Sequence, residues 1–549
     1  MPVLKIYFSR IVGMTGLSRE RVLDRLPFLG LDIEGTDDES VRIEYNPNRA
    51  DFSTDYGVAR ALRGLVGSEV GLPTYRVEEG GRIGLAADAN LAGVRPWIAC
   101  AAARGLSLDD ETIRQLISMQ EDLHNGLGRK RKKAAIGLHD LDAIAPPLTY
   151  RGVPPSFRFV PLGASGEMTI EEVLRETETG VAYGPILRGT TTYPILHDSK
   201  GTVLSFPPVI NGARTRVDAR TRNLFVDVTS TDERVGAEVL AIICSALADA
   251  GGRLESVRVD YGAAAPPRVT PEMAPTRMRF DAKLATAMTG LELGASEMRE
   301  CLERSRLGFD EVAGDALIPR YRVDILHPVD LAEEVAIGYG LDRIAPLYPA
   351  SKEPGRLDRG NVALDRIAES VSMAGFIETM SFDLVDAVSL YERFSRPADL
   401  RIEVEDPRTL EHHLLRDSLL PSLMTILARN VKAAYPQRLF EVGRVFQRDS
   451  QRSGKGILER PHLAAVVAHS SSSFSEARSY LDALVRQHRG AGVETRVARH
   501  WAFADGRCAE AVVEGAAVGH LGELKPSAVA AFGLDVPVAG FEIDLSGFL

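Results

Sequence analysis

The sequence predicts a multidomain α+β protein, from its length, from the spacing of its Pro- and Gly-rich joints, and from the way apolar residues switch between a strand period of two and a helical period between them. A chain of 549 residues is long enough for about three or four domains. Joints are expected at Glu79 to Gly93, Ala263 to Pro275 and Ala345 to Gly355, where Gly, Ala and Pro concentrate. They divide the chain into modules at 1–78, 90–262, 270–345 and 346–549.

In the first module short apolar strands accompany a helix begun near Ser18 and another from Asp55 to Gly64. Asn46-Pro-Asn-Arg-Ala-Asp51 is a turn by composition. The second module opens with helical periodicity to Leu127, followed by the basic run Arg129-Lys-Arg-Lys-Lys133. That run reads as a solvated helix end, where cations suit the negative pole of the helix dipole, or as a phosphate contact. Strands follow at Thr202 to Phe206 and Asn223 to Thr229, and a closing helix carries Val235, Val239, Ile242, Ile243 and Leu247 before Gly251-Gly252 ends it. Helices at Asp281–Thr289 and Ser296–Arg306 precede a carboxylate-rich junction in the third module. The fourth predicts helices over 361–375 and 408–433, the latter interrupted at Leu420-Pro421, then strands Arg438–Glu441 and Val445–Arg448.

Composition narrows the function. With 65 basic and 76 acidic residues, the net charge of −11 argues against coating nucleic acid by bulk electrostatics, so any RNA contact is local or shared with a partner. Cys100, Cys244, Cys301 and Cys508 are dispersed without a C-x-x-C pair. This excludes a zinc ribbon and a disulfide framework and fits a reducing cytoplasm. No signal peptide and no apolar run of roughly 18 residues is present, so a soluble protein and no membrane association are expected.

The junction from Tyr321 to Arg343 places Asp324, Asp330, Glu333 and Glu334 around the end of a β-branched run and the start of a helix marked by Leu331, Val335 and Tyr339. Asp330 is expected at the N-cap, and Asp330-x-x-Glu333 reads as a capping box. The alternative is a cation: Asp330 repels Glu333 at i,i+3 and Glu334 at i,i+4 unless a positive charge lies among them. All-oxygen ligands would select Mg²⁺ or Ca²⁺ over zinc.

This junction resembles the acidic signature of the phenylalanyl-tRNA synthetase β-subunit family, in its archaeal and eukaryotic form, and the resemblance covers nearly the whole chain. Tyr45-Asn-Pro-Asn-Arg-Ala-Asp51, Ala135-Ile-Gly-Leu-His-Asp-Leu-Asp142, Val203-Leu-Ser-Phe-Pro-Pro-Val-Ile-Asn-Gly212, Asp227-Val-Thr-Ser-Thr-Asp232 and Arg438-Leu-Phe-Glu-Val-Gly443 carry it in order. Ala50 departs from it, standing where the family usually has proline. The resemblance implies a tRNA-editing second module, a small third module whose carboxylates Asp324, Asp330, Glu333 and Glu334 hold Mg²⁺, and a degenerate class II synthetase antiparallel-sheet core in the fourth. It also makes the Asn46–Asp51 segment a docking or RNA-facing element. Implied partners are an α subunit, which binds ATP and adenylates phenylalanine in an (αβ)₂ heterotetramer, and tRNA(Phe).

The fourth module lacks the arginines with which class II enzymes hold ATP. Phe440-Glu441-Val442-Gly443 keeps an echo of one motif, the C-terminal stretch ending in Phe541-Glu-Ile-Asp544 has no such arginine, and Ser453-Gly-Lys-Gly456 is no phosphate loop. A self-contained ligase is therefore disfavoured. Arg416, Asp417 and Glu441 are candidate interface residues or ordinary surface ion pairs.

The editing domain of the family removes tyrosine from mischarged tRNA, and its pocket residues align with Leu196, Ser205, Asp227 and Thr229. Along Leu224 to Thr229, a period of two sets Phe225, Asp227 and Thr229 on one face. Asp227 reads as the acceptor of the tyrosine hydroxyl, helped by Ser205, or as a helix cap, with Thr229 at a strand edge. Ser230-x-x-Glu233 offers its own capping box, which leaves Asp227 free. His139 and His197 are candidates for placing the hydrolytic water, and structural histidines otherwise. The competing reading is an RNA-associated scaffold without editing, distinguished by a collapsed apolar core at Asp227 in place of a polar cavity.

Overall fold

A computed structural model describes residues 2–79, 83–348, 353–398, 401–449 and 456–549. Residues 80–82 and 349–352 of two joints, and Ser453 to Lys455 of the tested phosphate-loop segment, lie outside the described residues. The chain forms two compact units, Met1–Tyr348 and Pro349–Leu549. No described helix is long and apolar enough to cross a membrane. All four cysteines are buried free thiols.

In the first unit, strands Val3–Tyr7, Asp32–Thr36 and Ser40–Glu44 form a three-stranded sheet. The Arg19–Arg25 helix starts where the Ser18 hydroxyl accepts from the Arg21 N–H, and the Asp55–Val66 helix is capped in the same way by Thr54. A large mixed sheet of eleven described strands follows. Towards one end of its strand order Leu224–Ser230 lies antiparallel between Trp97–Arg104 and Ala134–Asp140. Leu224, Val226 and Val228 pack on Val239, Leu240, Ile243 and Leu247 of the Glu233–Asp249 helix. Burying each such side chain contributes about 1.5–3 kcal/mol. Phe225, on the opposite face, packs with Leu196, Leu204 and Tyr150. The alternation expected over Leu224 to Thr229 is therefore the one the sheet uses.

Helical periodicity was the expectation from the start of this module to Leu127, yet Trp97–Arg104 is a strand and only Asp110–Asn125 is helical. Ala99, Ala101, Ala102 and Ala103 read as helix by intrinsic propensity. Burial on both faces of a central strand overrides it, small side chains being what that position admits.

Strands Thr276–Arg279, Gly308–Asp310 and Asp315–Ile318 form a small sheet beside helices Ala282–Thr289, Ala295–Arg304 and Pro328–Tyr339. In the second unit a seven-stranded sheet carries the helices Arg359–Met373 and Phe474–Arg489. The region 408–433 is helical only over Leu420–Arg429, with Pro421 in its first turn, and Gln437–Arg448 is one strand instead of two. Gly443 sustains that continuity, because a methyl group there would stand 2.7 Å from the Arg416 guanidinium.

Arg416 and Glu441 are buried against each other at 2.6 Å, and Asp417 pairs with Arg396. Arg416 and Glu441 thus form an internal pair, which corrects their reading as interface or surface residues.

Candidate functional site

A cavity of about 260 Å³ opens where the Asp110–Asn125 helix, the Ala134–Asp140 strand and the Val203–Phe206 strand converge. Ser205, Asp227, Glu121, His124, Arg131 and Gly137 are among its lining residues. Apolar residues such as Ile117, Leu162, Phe206 and Val209 complete the lining around these polar groups, and the volume lies just below the roughly 300–1,000 Å³ common for small-ligand sites, suiting an amino-acid-sized group.

Asp227 is 1 % exposed. Its Oδ1 accepts from His139 Nε2 at 2.8 Å and from the Ser205 hydroxyl at 3.5 Å, while Oδ2 has no hydrogen-bond partner among the described residues. The other His139 nitrogen lies 2.9 Å from the Thr215 hydroxyl. Gly137 makes room for this pair: a methyl group there would stand 2.3 Å from Asp227 Oδ1 and 2.4 Å from His139 Nε2. Asp227 is not a cap, since the following helix is capped by Asp232, whose carboxylate accepts from the Arg234 and Val235 N–H groups. The Ser230 hydroxyl expected in that role has no partner.

Of the four residues aligned to the editing pocket, Ser205 and Asp227 line the cavity. Leu196 is paired across the sheet with Ser205 and sits in the core beside Phe225. The Thr229 hydroxyl accepts from Arg95 Nε at 2.9 Å. Neither candidate histidine lines the cavity: His139 is buried behind Asp227, and His197 Nδ1 contacts its neighbour's carbonyl.

Two residues that sequence reasoning did not single out, Glu121 and His124, and one inside the basic run, Arg131, add titratable groups to the lining. His124 Nε2 accepts the Ile136 N–H at 2.9 Å, so in the neutral ring favoured by burial Nδ1–H donates to Glu121 Oε1 at 3.1 Å. That hydrogen bond, with the charge of Arg131 2.9 Å away, holds the Glu121 carboxyl below its usual range. Their signal was faint, a Glu and a His three residues apart on one helix face. Arg131 also donates to the Pro208 and Val209 carbonyls, and its guanidinium lies 4.0 Å over the Tyr183 ring.

The basic run follows the helix as a left-handed turn, with φ of 51°, 55° and 64° at Arg129, Lys130 and Arg131. Each such non-glycine residue costs roughly 1–2 kcal/mol, so the surroundings must hold the turn. Arg95, 1 % exposed, donates to the carbonyls of Arg131 at 3.1 Å, Lys132 at 3.4 Å and Thr229 at 2.9 Å. Burial pulls its guanidinium down to about 10, against the opposing charge of Asp227 nearby.

At the acidic junction the helix begins at Pro328, two residues before the expected N-cap at Asp330. His327 is the cap, and Asp330 accepts from its N–H at 2.7 Å and from the Leu326 N–H at 2.8 Å. Buried Arg322 grips Asp324 at 2.7 and 2.9 Å and also binds Glu334. Glu333 is exposed. No group of three or more His, Cys, Asp or Glu among the described residues is arranged to hold a metal. Within this chain Arg322 lies on Asp324 and Glu334, Asp330 accepts from N–H groups at the helix start, and Glu333 is exposed. Glu334→Gln should destabilise the chain by about 1.5–3 kcal/mol, as for a hydrogen bond to a charged group, with no dependence on Mg²⁺. Melting with and without Mg²⁺ checks this; stabilisation of the parent alone would assign these carboxylates to the metal.

The Asn46–Asp51 turn feeds the same buried network. Against the cost of burial, Arg49 and Arg60 hold the Asp51 carboxyl down to about 2. Arg60 lies 3.2 Å from Asp51 and 3.1 Å from the Tyr75 hydroxyl, pairs with Asp249, and stacks 3.8 Å over the Tyr321 ring. It joins all three modules of the first unit.

Comparison with known proteins agrees over the full length. The family model described as the tRNA synthetase B5 domain matches residues 278–341, and that of the phenylalanyl tRNA synthetase beta chain CLM domain matches 344–545. The phenylalanine–tRNA ligase beta subunit of Archaeoglobus fulgidus is 42% identical over 100% of this chain and 99% of its own. That of Methanococcoides burtonii is 38% identical, with both chains fully covered. A crystal structure of an N-terminal fragment of the phenylalanyl-tRNA synthetase beta subunit from Pyrococcus horikoshii superposes with a TM-score of 0.59 at 33% identity, covering 62% of this chain and 100% of the fragment. The chain belongs to the phenylalanine–tRNA ligase β-subunit family of the aminoacyl-tRNA synthetases.

Proposed function

We propose that this chain works with an α subunit, which binds ATP and adenylates phenylalanine, and that the cavity at Asp227 hydrolyses tyrosyl-tRNA formed in error. The observation that carries the editing reading is the buried Asp227 carboxylate lining a mainly apolar cavity, with one oxygen unpartnered among the described residues. A phenylalanine pocket rejects an added hydroxyl only modestly, so a second site that selects for the hydroxyl is the chemical remedy. Here the phenolic O–H donates to Asp227 Oδ2, while His139 and Ser205 fix the carboxylate. Glu121 is the acceptor that orients a water and takes its proton as the water oxygen attacks the ester carbonyl. The bond to the ribose oxygen then breaks, the proton taken by Glu121 passes to that oxygen, and free tyrosine and uncharged tRNA leave. An aminoacyl ester is already reactive, so positioning supplies much of the rate.

The proposed assembly is an (αβ)₂ heterotetramer acting on tRNA(Phe) in the cytoplasm. Met373, Ile377, Met380 and Phe382 are exposed within ten residues of the second unit, which suits a surface covered by a partner. Mg²⁺ enters this proposal only as a cation shared with the α subunit, given the place Arg322 holds. Because the fourth module lacks ATP-binding arginines, the lone chain should catalyse no phenylalanine-dependent pyrophosphate exchange, and the complex co-purified with its α partner should do so. Robust exchange by the lone chain, free of other synthetases, would sink the division of labour.

A further inference from the structure

We propose that the left-handed basic turn is a docking site for the phosphodiester backbone of the RNA whose charged end enters the adjoining cavity. The inference rests on the editing reading for the identity of the ligand. Its basis is a sorting of side chains. Arg131 turns inward to Glu121 and the Pro208 and Val209 carbonyls, whereas Arg129, Lys130 and Lys132 are exposed. Those three have no ion-pair partner among the described residues, while Lys133 lies 3.6 Å from Asp232. Three unneutralised cations within four residues, in a chain of net charge −11, mark a local attraction for polyanion that overall composition does not supply.

A helical continuation would scatter these cations around an axis. The left-handed backbone instead places one inside and three outside, and conformations of this kind persist where surrounding structure over-determines them at sites of function. Arg95 supplies that determination. It is a buried guanidinium with no direct ion pair among the described residues, spent on the carbonyls of Arg131 and Lys132 and on both Thr229 oxygens. Such burial is costly, and holding the turn beside the strand that bears Asp227 accounts for it. Arg95 is thus a positioning residue. Lys and Arg suit phosphate, and each phosphate they neutralise adds to the salt dependence of binding.

The test uses the full chain with its α partner, and uncharged tRNA(Phe) and tyrosyl-tRNA as probes. Replacing Arg129, Lys130 and Lys132 by Ala together should weaken binding of uncharged tRNA roughly tenfold or more and lower the slope of log affinity against log salt by about 2, as for three single-strand contacts. For tyrosine release, KM should rise while kcat is kept. Lys130→Glu should act in the same direction from a single position. Arg95→Met should raise KM and also lower kcat, because it frees Arg131 and Thr229 together. If the triple variant binds uncharged tRNA as tightly as the parent and with the same slope, the proposal is overturned, and so it is if the variant loses only the α subunit, which would make the turn a protein contact. Should the parent fail to release tyrosine while the binding effects hold, the editing reading falls and the docking site stands.

Discussion

Asp227→Ala should slow the release of tyrosine from mischarged tRNA by about tenfold or more and leave phenylalanine-dependent pyrophosphate exchange by the complex unchanged. The substitution removes the acceptor for the phenolic hydroxyl, a hydrogen bond to a charged group worth roughly 1.5–3 kcal/mol, where each 1.4 kcal/mol or so is a factor of ten. It also releases His139 and Ser205 from their shared contact with Oδ1, so the loss should exceed that of the hydrogen bond alone. Exchange monitors folding and the adenylation site independently. A variant that clears tyrosine as fast as the parent, or loses both activities together, shows that Asp227 does not read the hydroxyl.

Arg60→Met should give the largest loss of stability in the first unit. It withdraws the guanidinium shared by Asp51, Asp249 and the Tyr75 hydroxyl and stacked on Tyr321. Asp51 keeps Arg49, but Asp249 is left buried with only a weak contact from the Tyr75 hydroxyl at 3.4 Å. Removing one partner of a buried ion pair costs about 3–5 kcal/mol, which denaturant unfolding of parent and variant would read. A change below about 1 kcal/mol, the range of exposed pairs, would mean that water reaches this network.

Local rules made much of this architecture legible. Apolar spacing placed the helices now seen at Arg359–Met373 and Glu233–Asp249, and a period of two put Asp227 and Phe225 on the correct face of their strand. What escaped was set by contacts distant in sequence. Nothing near Trp97–Arg104 reports that both of its faces would be buried, so its alanines read as helix. Glu121 and His124 look like a solvated helix face until the chain beyond Phe206 and the left-handed turn fold over them. Arg322 stands two residues before Asp324, but its spacing does not report that it turns inward. Only the fold shows that this guanidinium reaches both Asp324 and Glu334.

The central claim, that the cavity selects for the tyrosine hydroxyl, is tested most directly by loading tRNA(Phe) separately with tyrosine and with phenylalanine and following release of each by the native complex. Tyrosine engages the unpartnered Oδ2 of Asp227, whereas phenylalanine leaves that buried oxygen unsatisfied, so tyrosine should be freed about tenfold faster or more. Equal rates for the two amino acids, or no release of tyrosine, would contradict the account.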